Sequence, residues 1–406
     1  MRSRLTASLS RRHFLQTTAR SSAAAVVSLG AFSMAAADAA PAGPADFPPA
    51  DSWPDFRNGL ALRGIARTTL AESPALKWER ETDDGCTSTP AIVEGRAYVG
   101  TLSGELLCLD LADGAEVWKY RSLVSDNPKV FIPGFNGPVT VTRESVLCGD
   151  EEGTMHCVDR RSGEKRWTFA TDALIVGGAG VLGDRVIFGS HSGFLYGLNL
   201  DNGEKLWEFN TQGPVNGTQA FSGRFTFVTG CSEPVLYVVD TETGLEHARC
   251  PLDDLLIATP AIVDDVLYFG TSEGLVLALD WKQQRNVWKF EEMVQQREVL
   301  SAPAVTDDLV IIGGRDKFLY ALDRRSGQKR WSFPTRGDND NSPVVVGDRV
   351  FFGSGDRNLY AVGLADGQER WKHNAGQPFS EASPAVAEGR LVIATSGPPG
   401  QILCFG

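Results

Sequence analysis

This sequence is short of the residues that most often carry chemistry. Its 406 residues include 5 His, 7 Cys and 4 Met. No two cysteines are adjacent, no Cys-x-x-Cys occurs, and no two histidines stand at a ligand spacing. A cysteine-based metal site and covalent haem attachment are thereby excluded. Seven is odd, so at least one cysteine stays unpaired unless it bonds another chain. Long apolar runs are missing too: the longest, residues 23–37, falls short of an ordinary membrane-spanning helix. Positive charge is in deficit, with 39 Lys and Arg against 51 Asp and Glu. The first 40 residues hold five arginines and one aspartate, so without them the formal charge moves from −12 to about −16. Nucleic acid and anionic lipid, which need a basic footprint, are excluded as general partners. Gly177-Gly-Ala-Gly180 is no phosphate loop, because it starts a strand rather than opening a helix.

What is present is a repeat. Ala321-Leu-Asp-Arg-Arg-Ser-Gly-Gln-Lys-Arg-Trp331 reads as a strand ending at Asp323, a tight turn around Gly327, and a second strand toward Trp331. The frame is a small residue, x, Asp, three residues, Gly, three residues, Trp. It recurs, with small variations, as Cys108…Trp118, Cys157…Trp167, Gly197…Trp207, Ala278…Trp288 and Ala361…Trp371. One copy, Val238…Ala248, has lost its Trp, and another has Gln284 in the Gly slot. The Trp slots at 78, 118, 167, 207, 248, 288, 331 and 371 step by 40, 49, 40, 41, 40, 43 and 40 residues. A period near forty in a chain of short strands means one four-stranded propeller blade per repeat. Each indole is expected to wedge between neighbouring blades while the small residue makes room.

The two ends complement each other. Leu76-Lys-Trp78-Glu-Arg80 is a fourth strand with nothing upstream to supply the other three. Residues 383–386, 391–395 and 402–404 are three strands without a fourth. Joined, they complete blade eight, and closure removes exposed sheet edges. The expected fold is all-β, a single eight-bladed β-propeller over residues 75–406. Ahead of it, residues 1–39 read as an export signal. Arg11 and Arg12 within Ser10-Arg-Arg-His-Phe-Leu-Gln16 resemble a twin-arginine motif, departing from it at Gln16. No Cys precedes Cys86, so a soluble product, periplasmic or otherwise exported and without stable membrane insertion, is expected. Residues 40–74 form a Pro/Gly/Ala-rich tail, expected to be flexible. Its Trp53-Pro-Asp-Phe-Arg57-Asn-Gly59 lead-in should dock an aromatic pair on the propeller.

These repeats, with the lead-in, resemble the pyrroloquinoline-quinone (PQQ) propeller superfamily over roughly residues 53–406. That superfamily contains quinoprotein dehydrogenases and also non-catalytic propellers, such as the one in the outer-membrane β-barrel assembly machinery. The resemblance implies the fold; the site must decide the function. The vicinal disulfide that such dehydrogenases place against the quinone has no counterpart here, and their long insertions are missing. Calcium would need convergent oxygens. Asp150, Glu151, Glu152, Glu233, Glu273, Asp316 and Asp356 fall in loops that could supply them, but acidic propeller loops are ordinary. No cofactor is expected, with PQQ and calcium as the alternative.

The informative asymmetry is between the two faces. Loops from fourth strand to next first strand, and from second to third strand, open on one face, and the extra residues of the long intervals lie there. They fall at 121–136 and 291–300. Long loops on a rigid scaffold are where binding concentrates. The expected interaction face comprises Phe131 and Phe135 flanking Pro133-Gly134, with His191, Arg315, Lys317 and Arg357 in neighbouring loops. Trp78, Trp118, Trp167, Trp207, Trp288, Trp331 and Trp371 are assigned to blade docking. The chain therefore reads as an exported binding or assembly module for an envelope protein or peptide. The rival is a small quinoprotein-type oxidoreductase, and a carbohydrate- or peptide-binding propeller is a third possibility.

Overall fold

The computed structural model describes residues 47–125, 127 and 129–406. The expected export signal, with Arg11 and Arg12, lies outside the described residues. Among the described residues, short runs of β-branched and aromatic residues, cut by Gly and Asp turns, give thirty-two strands, from β1 (Leu76–Thr82) to β32 (Gly400–Phe405). They sort into eight four-stranded antiparallel sheets. Blade one runs outward through β2 (Ala91–Val93), β3 (Arg96–Gly100), β4 (Glu105–Asp110) and β5 (Glu116–Arg121). Its middle strands are buried almost throughout, because both faces of a blade press on neighbours. In the outer strand β5, Trp118 is the one buried residue.

The eighth blade closes the ring as the ends of the sequence require. Its order is β1, β32, β31 (Arg390–Ala394), β30 (Ala385–Ala387), and Trp78 stands opposite Cys404. Each small residue of the repeat likewise faces its own Trp across the outer strand pair, as Cys108 faces Trp118 and Gly197 faces Trp207. The indole then crosses to the next blade. The Trp78 Nε1–H donates to the Leu111 carbonyl at 3.0 Å, and Trp118, Trp167, Trp207, Trp288 and Trp331 repeat this bond one blade on. Trp371 faces the closing blade, whose third and fourth strands come from opposite chain ends with no turn between them. It packs edge-on against Phe405, 5.5 Å between ring centroids.

The lead-in docks on the propeller through its aromatic pair, as its sequence led us to expect. Inner strands leave a row of free backbone groups toward the axis, and residues 53–68 bond in turn to every blade except the third. Trp53 exchanges two hydrogen bonds with Ile92, Pro54 accepts from Val141, and Leu60 accepts from Phe221. Ala61, Arg63 and Gly64 accept from Ile262, Val305 and Val345, and Thr68 Oγ1 accepts from Gly389. Trp53 and Phe56 are buried. The segment circles the axis and closes the channel. No helix among the described residues is long and apolar enough to cross a membrane.

Candidate functional site

Because the lead-in crosses the axis at the first or second residue of the inner strands, the space ahead of it is a blind funnel. The funnel opens on the face of the long loops and holds a cavity of about 280 Å³. Phe56 lies at its floor, Thr89, Thr218, Thr259 and Ser342 line its neck, and Asn136, His191, Asn216, Asp340 and Glu381 line its wall. Of the residues singled out from sequence for this face, His191 is the one that reaches the funnel. Its Nε2 lies 2.6 Å from Asn216 Oδ1, and Asn216 Nδ2 donates onward to Cys231 Sγ at 3.1 Å. Since the Asn216 oxygen must accept, Nε2 carries the proton.

On the opposite wall, Arg315 clamps Asp340 through Nε and Nη2 at 3.0 Å each. That hydrogen bond, with Asp340's charge, raises the guanidinium pKa. Glu381 makes no side-chain hydrogen bond among the described residues. Its carboxylate stays open to solvent, but it sits within the concavity, where burial and then the neighbouring charge of Asp340 push its pKa up.

Phe135 corrects the reading from sequence. It is 0% exposed, packed on Tyr120 and His156, and its amide donates to the Thr101 carbonyl. It plugs the junction of blades one and two, over Gly100, where an added Cβ would come 2.7 Å from Phe135 Cβ. Ile175, Val215 and Phe379 sit over Gly149, Gly189 and Gly353 in the same way. The sequence carried this signal: Phe135, Ile175, Leu256 and Val299 each stand five residues before the first residue of an inner strand, and Val215 six. Phe131 is 60% exposed, and Leu123, Val124 and Val130 of the same loop are exposed with it. Val294 is exposed on the second long loop, its amide held by Asp316 Oδ2 and the Tyr320 hydroxyl. Lys317 and Arg357 are exposed at the tips of second-to-third-strand turns.

The acidic loop residues do not converge. Asp150, Asp316 and Asp356 each turn back onto their own blade, to His156, Tyr320 and Tyr360. No group of three or more His, Cys, Asp or Glu side chains among the described residues could hold a metal ion.

The sequence pattern of the family described as outer membrane protein assembly factor BamB matches residues 64–220 and again residues 195–404. The chain belongs to this family. Its fold is similar to that of BamB from Moraxella catarrhalis, at TM-score 0.66 and 21% identity over 82% of this chain and 97% of that one. It is also similar to quinohemoprotein alcohol dehydrogenase from Comamonas testosteroni, at TM-score 0.73 and 13% identity over 89% of this chain and 81% of that one. In sequence, a stretch of 102 residues is 28% identical to quinohemoprotein alcohol dehydrogenase ADH-IIG from Pseudomonas putida, covering 24% of this chain and 14% of that protein. The chain thus spans only about a seventh of that curated relative's length.

The quinoprotein relatives raise the question of whether the funnel fits PQQ. Its lining holds two carboxylates, no Trp, no Cys, and no Lys or Arg. Arg315, beside the wall residue Asp340, is already taken by it. An anionic planar quinone would meet Asp340 and Glu381 with no cation in the lining to balance its charge, and only the Phe56 and His191 rings lie there to stack on. These residues do not fit that group.

Proposed function

We propose that this protein is an exported, non-catalytic scaffold that binds an envelope protein or peptide through the face carrying its long loops. The observation that carries the reading is the exposed apolar group on the loop after β5. Val124 is 77% and Phe131 60% exposed beside Leu123 and Val130, and Val294 is exposed on the second long loop of the same face. Contiguous exposed apolar side chains mark interaction sites, and an accessible aromatic often supplies much of the binding energy. Lys317 and Arg357 add positive charge on the same face. Membership of an outer-membrane assembly factor family favours an envelope partner. The test is capture from an envelope fraction by the mature protein. The double variant Val124→Ser/Phe131→Ser should keep its Tm within a few degrees and lose at least tenfold in captured partner. Undiminished capture by that variant overturns the reading.

A second reading, a quinoprotein-type oxidoreductase, is favoured by the sequence match to quinohemoprotein alcohol dehydrogenase. It predicts stoichiometric PQQ binding in the presence of calcium. We expect titration to give no saturable quinone absorbance and no dye-linked alcohol oxidation.

A further inference from the structure

Four hydroxyls at the neck of the funnel have a hydrogen to donate and no acceptor among the described residues. Each accepts a backbone amide from the preceding blade. Gly178 N donates to Thr218 Oγ1 and Thr218 N to Thr259 Oγ1, both at 2.8 Å. Ala302 N donates to Ser342 Oγ and Ser383 N to Thr89 Oγ1, both at 3.0 Å. The amides hold the oxygens in place around the axis, on blades one, four, five and seven. All four residues line the cavity, and all are more than nine-tenths buried, with relative exposures of 2, 5, 7 and 4% for Thr89, Thr218, Thr259 and Ser342. A donor left unpaired in such a buried site is costly. The site is therefore built to be satisfied from the funnel side.

The neighbouring groups narrow what satisfies it. Above the neck stand acceptors and amides: Asn136, Asn216, Asp340 and Glu381. An apolar ligand would leave the hydroxyl donors unpaired. An anion would face Asp340 and Glu381, and Arg315, the cation whose charge reaches Glu381, is already paired with Asp340. A ligand whose own hydroxyls both donate and accept answers donors below and carboxylates above at once. Phe56 offers an apolar patch at the floor. The volume, about 280 Å³, is at the small end of the range of roughly 300–1,000 Å³ for ligand pockets. We infer that the funnel is a binding site for a neutral polyhydroxyl ligand of mono- or disaccharide size. The site is separate from the loop surface that carries the scaffold reading, so either can fail without the other.

Isothermal titration of the mature protein with D-glucose, maltose and myo-inositol tests this, with D-glucuronate as the charged comparison. At least one neutral polyol should bind saturably, and D-glucuronate at least tenfold more weakly than the best neutral one. Ala258→Trp, which fills the wall without removing a hydrogen-bonding group, should abolish that binding. Leu300→Trp, on the partly exposed wall between blades five and six, does the same should the first variant fold poorly. No saturable binding by any neutral polyol overturns the inference. So does D-glucuronate binding as tightly, or unchanged affinity in a folded funnel-filling variant.

Discussion

Lys317 and Arg357 hold a backbone conformation that suits neither. Their φ angles are 72° and 74°, whereas Gly104, Gly153, Gly193 and Gly274 occupy the same turn position in other blades. A residue with a Cβ gives up about 1–2 kcal/mol in this left-handed region. Their side chains are exposed, so no packing offsets that cost within the blade. Lys317→Gly and Arg357→Gly should therefore each raise stability by up to about 1 kcal/mol, after allowance for glycine's greater freedom in the unfolded chain. Denaturant midpoints check this. A fall in either midpoint would mean that the side chain is held by contacts the geometry does not display. If these variants are more stable yet capture partner less well, the strain is retained for binding.

The blade is the next scale, and its interlock is a two-part device. The Trp of one blade reaches over the Gly turn of the next: a Cβ on Gly114 would come 2.8 Å from the Trp78 ring, and one on Gly203 2.6 Å from the Trp167 ring. The degenerate copies obey the same rule. Ala248 carries no indole, so the following turn tolerates Gln284 in place of Gly. The space is filled from the other side by Trp281, whose buried ring packs on Phe225 and Phe227 at 5.7 and 5.4 Å. The ring count, the closure and both irregular slots were legible in the sequence, because a forty-residue period survives single substitutions. The link between Ala248, Gln284 and Trp281 was not legible, since it joins two repeats through space. Phe135 was misplaced for a related reason: it lies in a long loop, but its neighbours across the blade junction bury it. Trp281→Ala should cost about 3–5 kcal/mol. Restoring the regular pair with Ala248→Trp and Gln284→Gly should recover part of that loss in the Trp281→Ala background and none in the wild type. Equal effects in both backgrounds would separate the three positions.

At the scale of the whole molecule, the ring is closed twice, by β1 in the last blade and by the lead-in across the axis. The second closure places two ionisable groups where water is scarce. Arg57 is 1% exposed, and none of its guanidinium nitrogens has a hydrogen-bond partner among the described residues. Burial lowers its pKa to about 9. Asp55 accepts from Gly59 N at 2.5 Å, yet desolvation still raises its carboxyl to about 6. A carboxyl whose folded pKa lies above its unfolded value favours the fold when protonated. Its contribution is fully present below pH 3.8, shrinks as pH rises through 6, and is absent above. Asp55→Asn keeps the acceptor oxygen for Gly59 and removes the charge. It should stabilise the protein at pH 8 by on the order of 2 kcal/mol, with the gain fading between pH 6 and pH 4. Asp323, held below the usual carboxylate range first by Arg330, works in the opposite sense and loses its contribution as pH falls. The comparison must therefore be made between variant and wild type at each pH, by denaturant melts. A gain independent of pH would mean that the lead-in crosses the axis without burying the Asp55 charge.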